Sequence, residues 1–182
     1  MKQLLCIIFF AGAMQVQAQD QYPSPEYANH PYFFDKSNKQ LTALEKSSAK
    51  ISTKIKALGY GGMSSQYVIE GGSSAVNIPS ADTTEFVVTG GNQLMDPSQM
   101  FSLYPLDAGK KQRAAVLAQG KGLLGKNKQA EKISCLLKKV NDKYVLVVPV
   151  KLEPGQYAFI NTMPSGGGGM DQTFDAYCFA VK

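Results

Sequence analysis

The sequence predicts an antiparallel all-β sandwich, and three observations carry that prediction. Short runs of β-branched and aromatic residues recur along the chain, each closed by Gly, Pro, Asn or Asp. No convincing long helix separates them. Finally, Pro154-Gly155 stands between two such runs, where a fixed φ followed by a permissive residue lets the chain bend sharply.

The elements follow in order. Lys2 and the 11-residue apolar run from Leu4 to Met14 read as an export signal, with Val16-Gln17-Ala18 as the cleavage site. That run is shorter than the roughly 18 residues a membrane helix needs, so residues 1–18 are expected to be removed. Residues 19–31 are proline-rich and aperiodic, a tether or an arm lying over the domain. Residues 32–63 read as a β-rich extension. Within it, Leu41, Leu44, Ile51, Ile55 and Leu58 fit a helical stripe over 41–58. Ala49, Ile51, Thr53, Ile55 and Ala57 also alternate with polar residues, and the β-rich surroundings favour this strand reading.

Residues 64–182 carry the sandwich itself. Tyr67 to Ile69 and Ala75 to Ile78 read as a hairpin about Gly71-Gly72. Glu85 to Thr89 is a strand, and Met100 to Leu106 another, with Pro105 marking an edge or bulge. Arg113 to Leu117 follows. Lys132 to Val140 and Lys143 to Val150 flank a two-residue turn at Asn141-Asp142. Gln156 to Asn161 and Thr173 to Val181 form the last pair, with Gly166 to Gly169 as a slack connection.

Leu152-x-Pro154-Gly155-x-Tyr157 resembles the tyrosine corner of Greek-key sandwiches, and through it the chain resembles the immunoglobulin-like and fibronectin-III-like superfold. The resemblance implies that the Tyr157 hydroxyl bonds back to an upstream backbone group as the chain crosses between layers. It departs from antibody domains in two respects: Phe159 stands where a cysteine would, and the chain has no tryptophan. The chain is also similar to small exported proteins of bacterial envelopes, which implies a location and no mechanism.

Charge and cysteines bound the chemistry. Removing Lys2 with the signal leaves 18 basic against 14 acidic residues, and Ala108 to Lys151 holds eleven Lys or Arg against Glu131 and Asp142 alone. Lys110, Lys111, Arg113, Lys121, Lys126 and Lys128 are the candidate contacts for an anionic glycan; a solvated surface is the plainer account. Cys135 and Cys178 survive cleavage and, in an oxidising compartment, are candidates for a bridge. Two buried thiols are the alternative.

Catalytic motifs are weak. Gly120 to Asn127 has the glycine spacing and lysine of a phosphate loop, but Asn127 replaces the hydroxyl that would meet Mg²⁺. His30 is the sole histidine, which rules out a multi-histidine zinc site. Asp171 and Asp175 lack a loop of alternating calcium ligands. The expectation is a non-enzymatic binding or structural accessory module of the bacterial envelope, without cofactor or metal, working in the periplasm or outside the cell; a hydrolytic enzyme with an unrecognised site is the third reading. Its expected partner is an envelope protein or an anionic glycan. Nucleic acid is not expected, nor is an integral membrane segment after cleavage.

Overall fold

The computed structural model describes residues 22–55, 63–89, 96–120, 128–129, 131–141, 143–167 and 172–182. The expected signal, Lys121 and Lys126 lie outside them. The first strands are β1 (Tyr32–Asp35) and β2 (Gln40–Ala43), paired about a polar turn. There the Asp35 carboxylate accepts from the Ser37 amide at 2.9 Å, the local bond that makes Asp a turn former. Residues 45–55 take the extended reading as β3 (Glu45–Ile55), with buried Ala49 between exposed Ser48 and Lys50. Then come β4 (Met63–Glu70), β5 (Asn77–Ile78), β6 (Thr84–Thr89), one helical turn α1 (Pro97–Met100), β7 (Phe101–Ala108), β8 (Gln112–Gly120) and β9 (Lys128–Gln129). β10 (Leu136–Val140) and β11 (Lys143–Val148) form the expected hairpin, and Asn141 takes the positive φ of 57° that a two-residue turn requires. β12 (Gly155–Gly166) and β13 (Thr173–Val181) are the last pair.

The fold is all-β and almost wholly antiparallel, in two layers. One is a five-stranded sheet in the order β10-β11-β6-β1-β2. The other runs β12-β7-β8-β4-β3-β13, and β13 pairs back onto β12, so six strands close into a barrel. The expectation of two facing open sheets is therefore revised for one layer. The cause is β13, which bonds β12 along one edge and β3 along the other, with Cys178 opposite both Ala158 and Glu45.

Two further expectations change. Residues 75–78 do not return along β4 as a hairpin. β5 instead runs parallel to β13, pairing Ala180 and Val181 just beyond the point where β3 begins. Residues 32–63 are not an extension preceding the domain: β1 and β2 belong to the sheet, while β3 is a barrel stave between β13 and β4.

Three apolar clusters follow from this arrangement. Inside the barrel, small Ala49, Ala115, Ala158 and Ala176 make room for Tyr67, Tyr104 and Phe174, the mixture of sizes a narrow barrel requires. Between the layers, Phe86 of the sheet meets Phe159 and Phe179 of the barrel at ring distances of 4.8 and 5.1 Å. Because β12 and β13 face the barrel interior on one side and the sheet on the other, they read as near-continuous apolar runs. On the outer face of the sheet, the proline-rich arm lays buried Tyr22 over Phe34, Val87 and Val145, and the Tyr22 hydroxyl donates to Glu85 at 2.9 Å. From Tyr22 onward, the described part of this segment packs on the sheet as an arm rather than hanging as a tether.

The corner works as its motif implies. The chain leaves the sheet at Val148 and enters the barrel at Gly155, and the Tyr157 hydroxyl donates to the Glu153 carbonyl at 2.7 Å. Leu152 is buried, and the Tyr157 ring stacks on Phe179 with an interplanar angle of 18°. Tyr157→Phe is expected to lower stability by about 1 kcal/mol, the net value of one hydrogen bond. Urea unfolding reads this as a lower midpoint at unchanged slope.

Candidate functional site

Of the basic residues predicted as a site, those that are described do not gather in one patch. Lys110 and Lys111 are exposed at the tip of the β7–β8 hairpin. Lys128, in β9, pairs with Gln119 near the other end of β8. Seven residues of strand separate Gln112 from Gln119, or roughly 23 Å at the usual rise. Arg113 leaves the set altogether: it turns into the barrel and is 1% exposed. Its phase is readable in the sequence, since Arg113 alternates with Gln112 and Ala114 and shares the inward face of Ala115 and Leu117.

Arg113 organises a polar cap at one end of the barrel. Its Nη2 donates to Glu45 Oε1 at 2.7 Å and to the Glu70 carbonyl at 3.2 Å, and its Nε donates to the Gly71 carbonyl at 3.1 Å. Gly71 has a φ of 87°, and a Cβ on Gly72 would lie 2.6 Å from the Gly109 carbonyl oxygen, so glycines let this loop settle against the β7–β8 turn. Glu45 also accepts from the Ala75 amide at 2.8 Å and from Ser47 at 3.1 Å. Burial pushes its carboxyl upward, but hydrogen bonds from Arg113, Ser74 and the Ala75 amide, together with the guanidinium charge, hold it below the ordinary value. This is a buried ion pair facing the interior, with only Arg113 Nη1 left without a protein partner among the described residues, and it serves the fold.

The cysteines are free. Cys178 faces the barrel interior, whereas Cys135 packs against the cluster between the layers, so the barrel wall stands between them and the candidate bridge does not form. Burial pushes both thiols up to about 11, which keeps them protonated and poorly nucleophilic near neutrality. His30 is structural as well. Its Nε2 bonds the Leu44 carbonyl at 3.0 Å, and its ring sits 5.0 Å from Tyr32 and 4.6 Å from Tyr177. Burial, with Lys46 nearby, lowers its proton affinity despite that bond. Among the described residues no group of three or more His, Cys, Asp or Glu is placed to hold a metal, and no helix is long and apolar enough to cross a membrane.

A groove of about 700 Å³ lies on the outer barrel face, remote from the five-stranded sheet. Three neighbouring staves build it in cross-strand rows. Glu70 pairs with Gln112 at one end; Lys50 lies beside Val68, Ser52 beside Gln66, and Lys54 beside Ser64 toward the other. The inward partners Ala49, Tyr67, Ile69 and Ala115 fill the core, so period-two alternation sends the polar residues outward. Lys50 and Lys54 have no ion-pair partner among the described residues, while Lys46 on the same strand bonds Asp175 at 3.1 Å. The alternation in 49–57 shows an exposed strand face in the sequence. That the face is grooved depends on β4 and β8 lying beside it, and no local signal encodes that.

No protein-family model, curated protein or solved structure matches the chain.

Proposed function

We propose that the protein is an exported, non-catalytic binding module of the bacterial envelope, and that its groove on β3, β4 and β8 receives an extended anionic glycan. The groove itself carries this reading. It offers Ser48, Ser52, Gln66 and Gln112 as uncharged hydrogen-bonding groups, and holds Lys50 and Lys54, without ion-pair partners among the described residues, against the carboxylate of Glu70. Hydroxyl and amide side chains suit sugar hydroxyls, and the lysines suit carboxylate or sulfate as point charges. Export rests on the amino-terminal signal pattern, and kinship with immunoglobulin-like domains rests on the corner at Tyr157.

The second reading places the glycan on the basic 110–128 loops, and Lys110 and Lys111 favour it by their exposure beside Gln112. Titration with polygalacturonate and dextran sulfate across a salt series separates the two. Binding is expected to weaken with salt and to fall about tenfold, or 1.4 kcal/mol, in Lys50→Glu/Lys54→Glu. Lys110→Glu/Lys111→Glu should change it less. A loss confined to the hairpin variant would move the site to the loops. No binding by wild-type protein at low salt would end the glycan reading.

A further inference from the structure

The five-stranded sheet, unlike the barrel, ends in an edge. β10 is its outermost strand on one side, and α1 approaches it without adding a strand. Leu136 is 60% exposed and Leu137 36% exposed, side by side on the strand yet on opposite faces. Leu136 shares its face with Val145 and Val147, extending the apolar strip that the arm covers over β1 and β6 but not here.

The hairpin sets which backbone groups are spare. Across a two-residue turn the flanking residues exchange both hydrogen bonds, so Val140, Lys138 and Leu136 direct their amides and carbonyls to β11. Those of Leu137 and Lys139 therefore point away from the sheet. An edge with exposed leucines and outward backbone groups is a template for another strand.

We propose that β10 is a strand-addition site, and that its occupant is an extended segment of a partner protein alternating apolar residues with carboxylates. Charge selects this occupant. Lys138 and Lys139 lie in the strand, and no carboxylate lies within β10. A second copy of the chain fits less well. The antiparallel register that pairs all five residues of β10 with themselves sets Lys138 directly against Lys138 of the copy, and like charges in opposed positions repel. A carboxylate opposite Lys138 attracts, and the alternation then sets the occupant's apolar residues on the other face, against Leu137. Main-chain bonds to Leu137 and Lys139 would supply the affinity, as in other strand additions. This surface is separate from the groove and stands or falls without it.

The test titrates the full chain with two synthetic nine-residue peptides, one alternating valine with glutamate and one alternating valine with lysine. Saturable binding of the glutamate peptide is expected, at least tenfold tighter than the lysine peptide, with slowed amide exchange at Leu137 and Lys139. Lys139→Pro removes an outward donor and leaves the β10–β11 bonds intact, so it should abolish binding while the hairpin persists. Should that variant not fold, Lys138→Glu/Lys139→Glu should reverse the peptide preference. Binding of neither peptide, or binding without protection of Leu137 and Lys139, would overturn the proposal. A wild-type dimer that Lys139→Pro dissociates would overturn it in favour of a second copy.

Discussion

Glu45→Ala is expected to lower stability by about 3 kcal/mol, because it strands a buried guanidinium. Arg113 is 1% exposed, and among the described residues its Nη1 already lacks a protein partner and Glu45 is its only carboxylate. The estimate takes the lower end of the range for broken buried pairs, since the Glu45 side chain retains 24% exposure. At 2–4 °C per kcal/mol for a chain of this size, the melting temperature should fall by roughly 6–12 °C. Arg113→Met alongside Glu45→Ala should restore most of the loss, because the uncompensated charge goes with it. A drop below 1 kcal/mol in the single variant would mean that water reaches the cap freely. The pH dependence has a definite sign. A carboxyl held below its ordinary value stabilises the fold when ionised, so Glu45 contributes fully above the usual glutamate range. That contribution fades as pH falls through its lower folded value, and the gap between wild type and Glu45→Gln should close in acid.

Phe86→Ala should cost about 3–5 kcal/mol, the range for removing a large aromatic ring from a core. Phe86 is fully buried, and its ring meets Phe33 at 6.2 Å, Phe159 at 4.8 Å and Phe179 at 5.1 Å. It is the sheet's main aromatic contact with the barrel, so no single neighbour can collapse into the space. Phe86→Leu keeps part of the volume and should cost less. Denaturant titration of both variants measures the difference. A loss below 1 kcal/mol in the alanine variant would show that the layers adhere through something other than this cluster.

Features set by neighbouring residues were legible in the sequence. The corner at Leu152 to Tyr157 is one: proline, glycine and a returning hydroxyl act within six residues. The Asn141 turn is another, since it needs only a residue that tolerates positive φ. Strand identity for residues 45–55 also followed from alternation. What escaped the sequence depends on who lies beside whom. Closure rests on β13 finding both β3 and β12, and nothing in Thr173 to Val181 distinguishes a strand with two partners in a barrel from one in an open sheet. The basic stretch misled for a related reason. Counting charge placed Arg113 with Lys110 and Lys111, whereas its phase with Ala115 and Leu117 sends it inward. Cys135 and Cys178 suggested a bridge by number alone, and the barrel wall keeps them apart. The groove needed three staves from two regions of the chain to become a site.

Closure of the barrel also governs how the chain reaches this state. The bonds that seal it join Glu45 to Cys178 and Lys50 to Thr173, partners near opposite ends of the sequence. Contacts of such separation are slow to form, and β-proteins dominated by them fold in roughly milliseconds to seconds. Until residues 173–181 are available, β3 holds β4 on one side and keeps its other edge unsatisfied. A chain delivered end to end therefore carries a sticky strand throughout its emergence, and the same segment that completes the barrel ends that exposure.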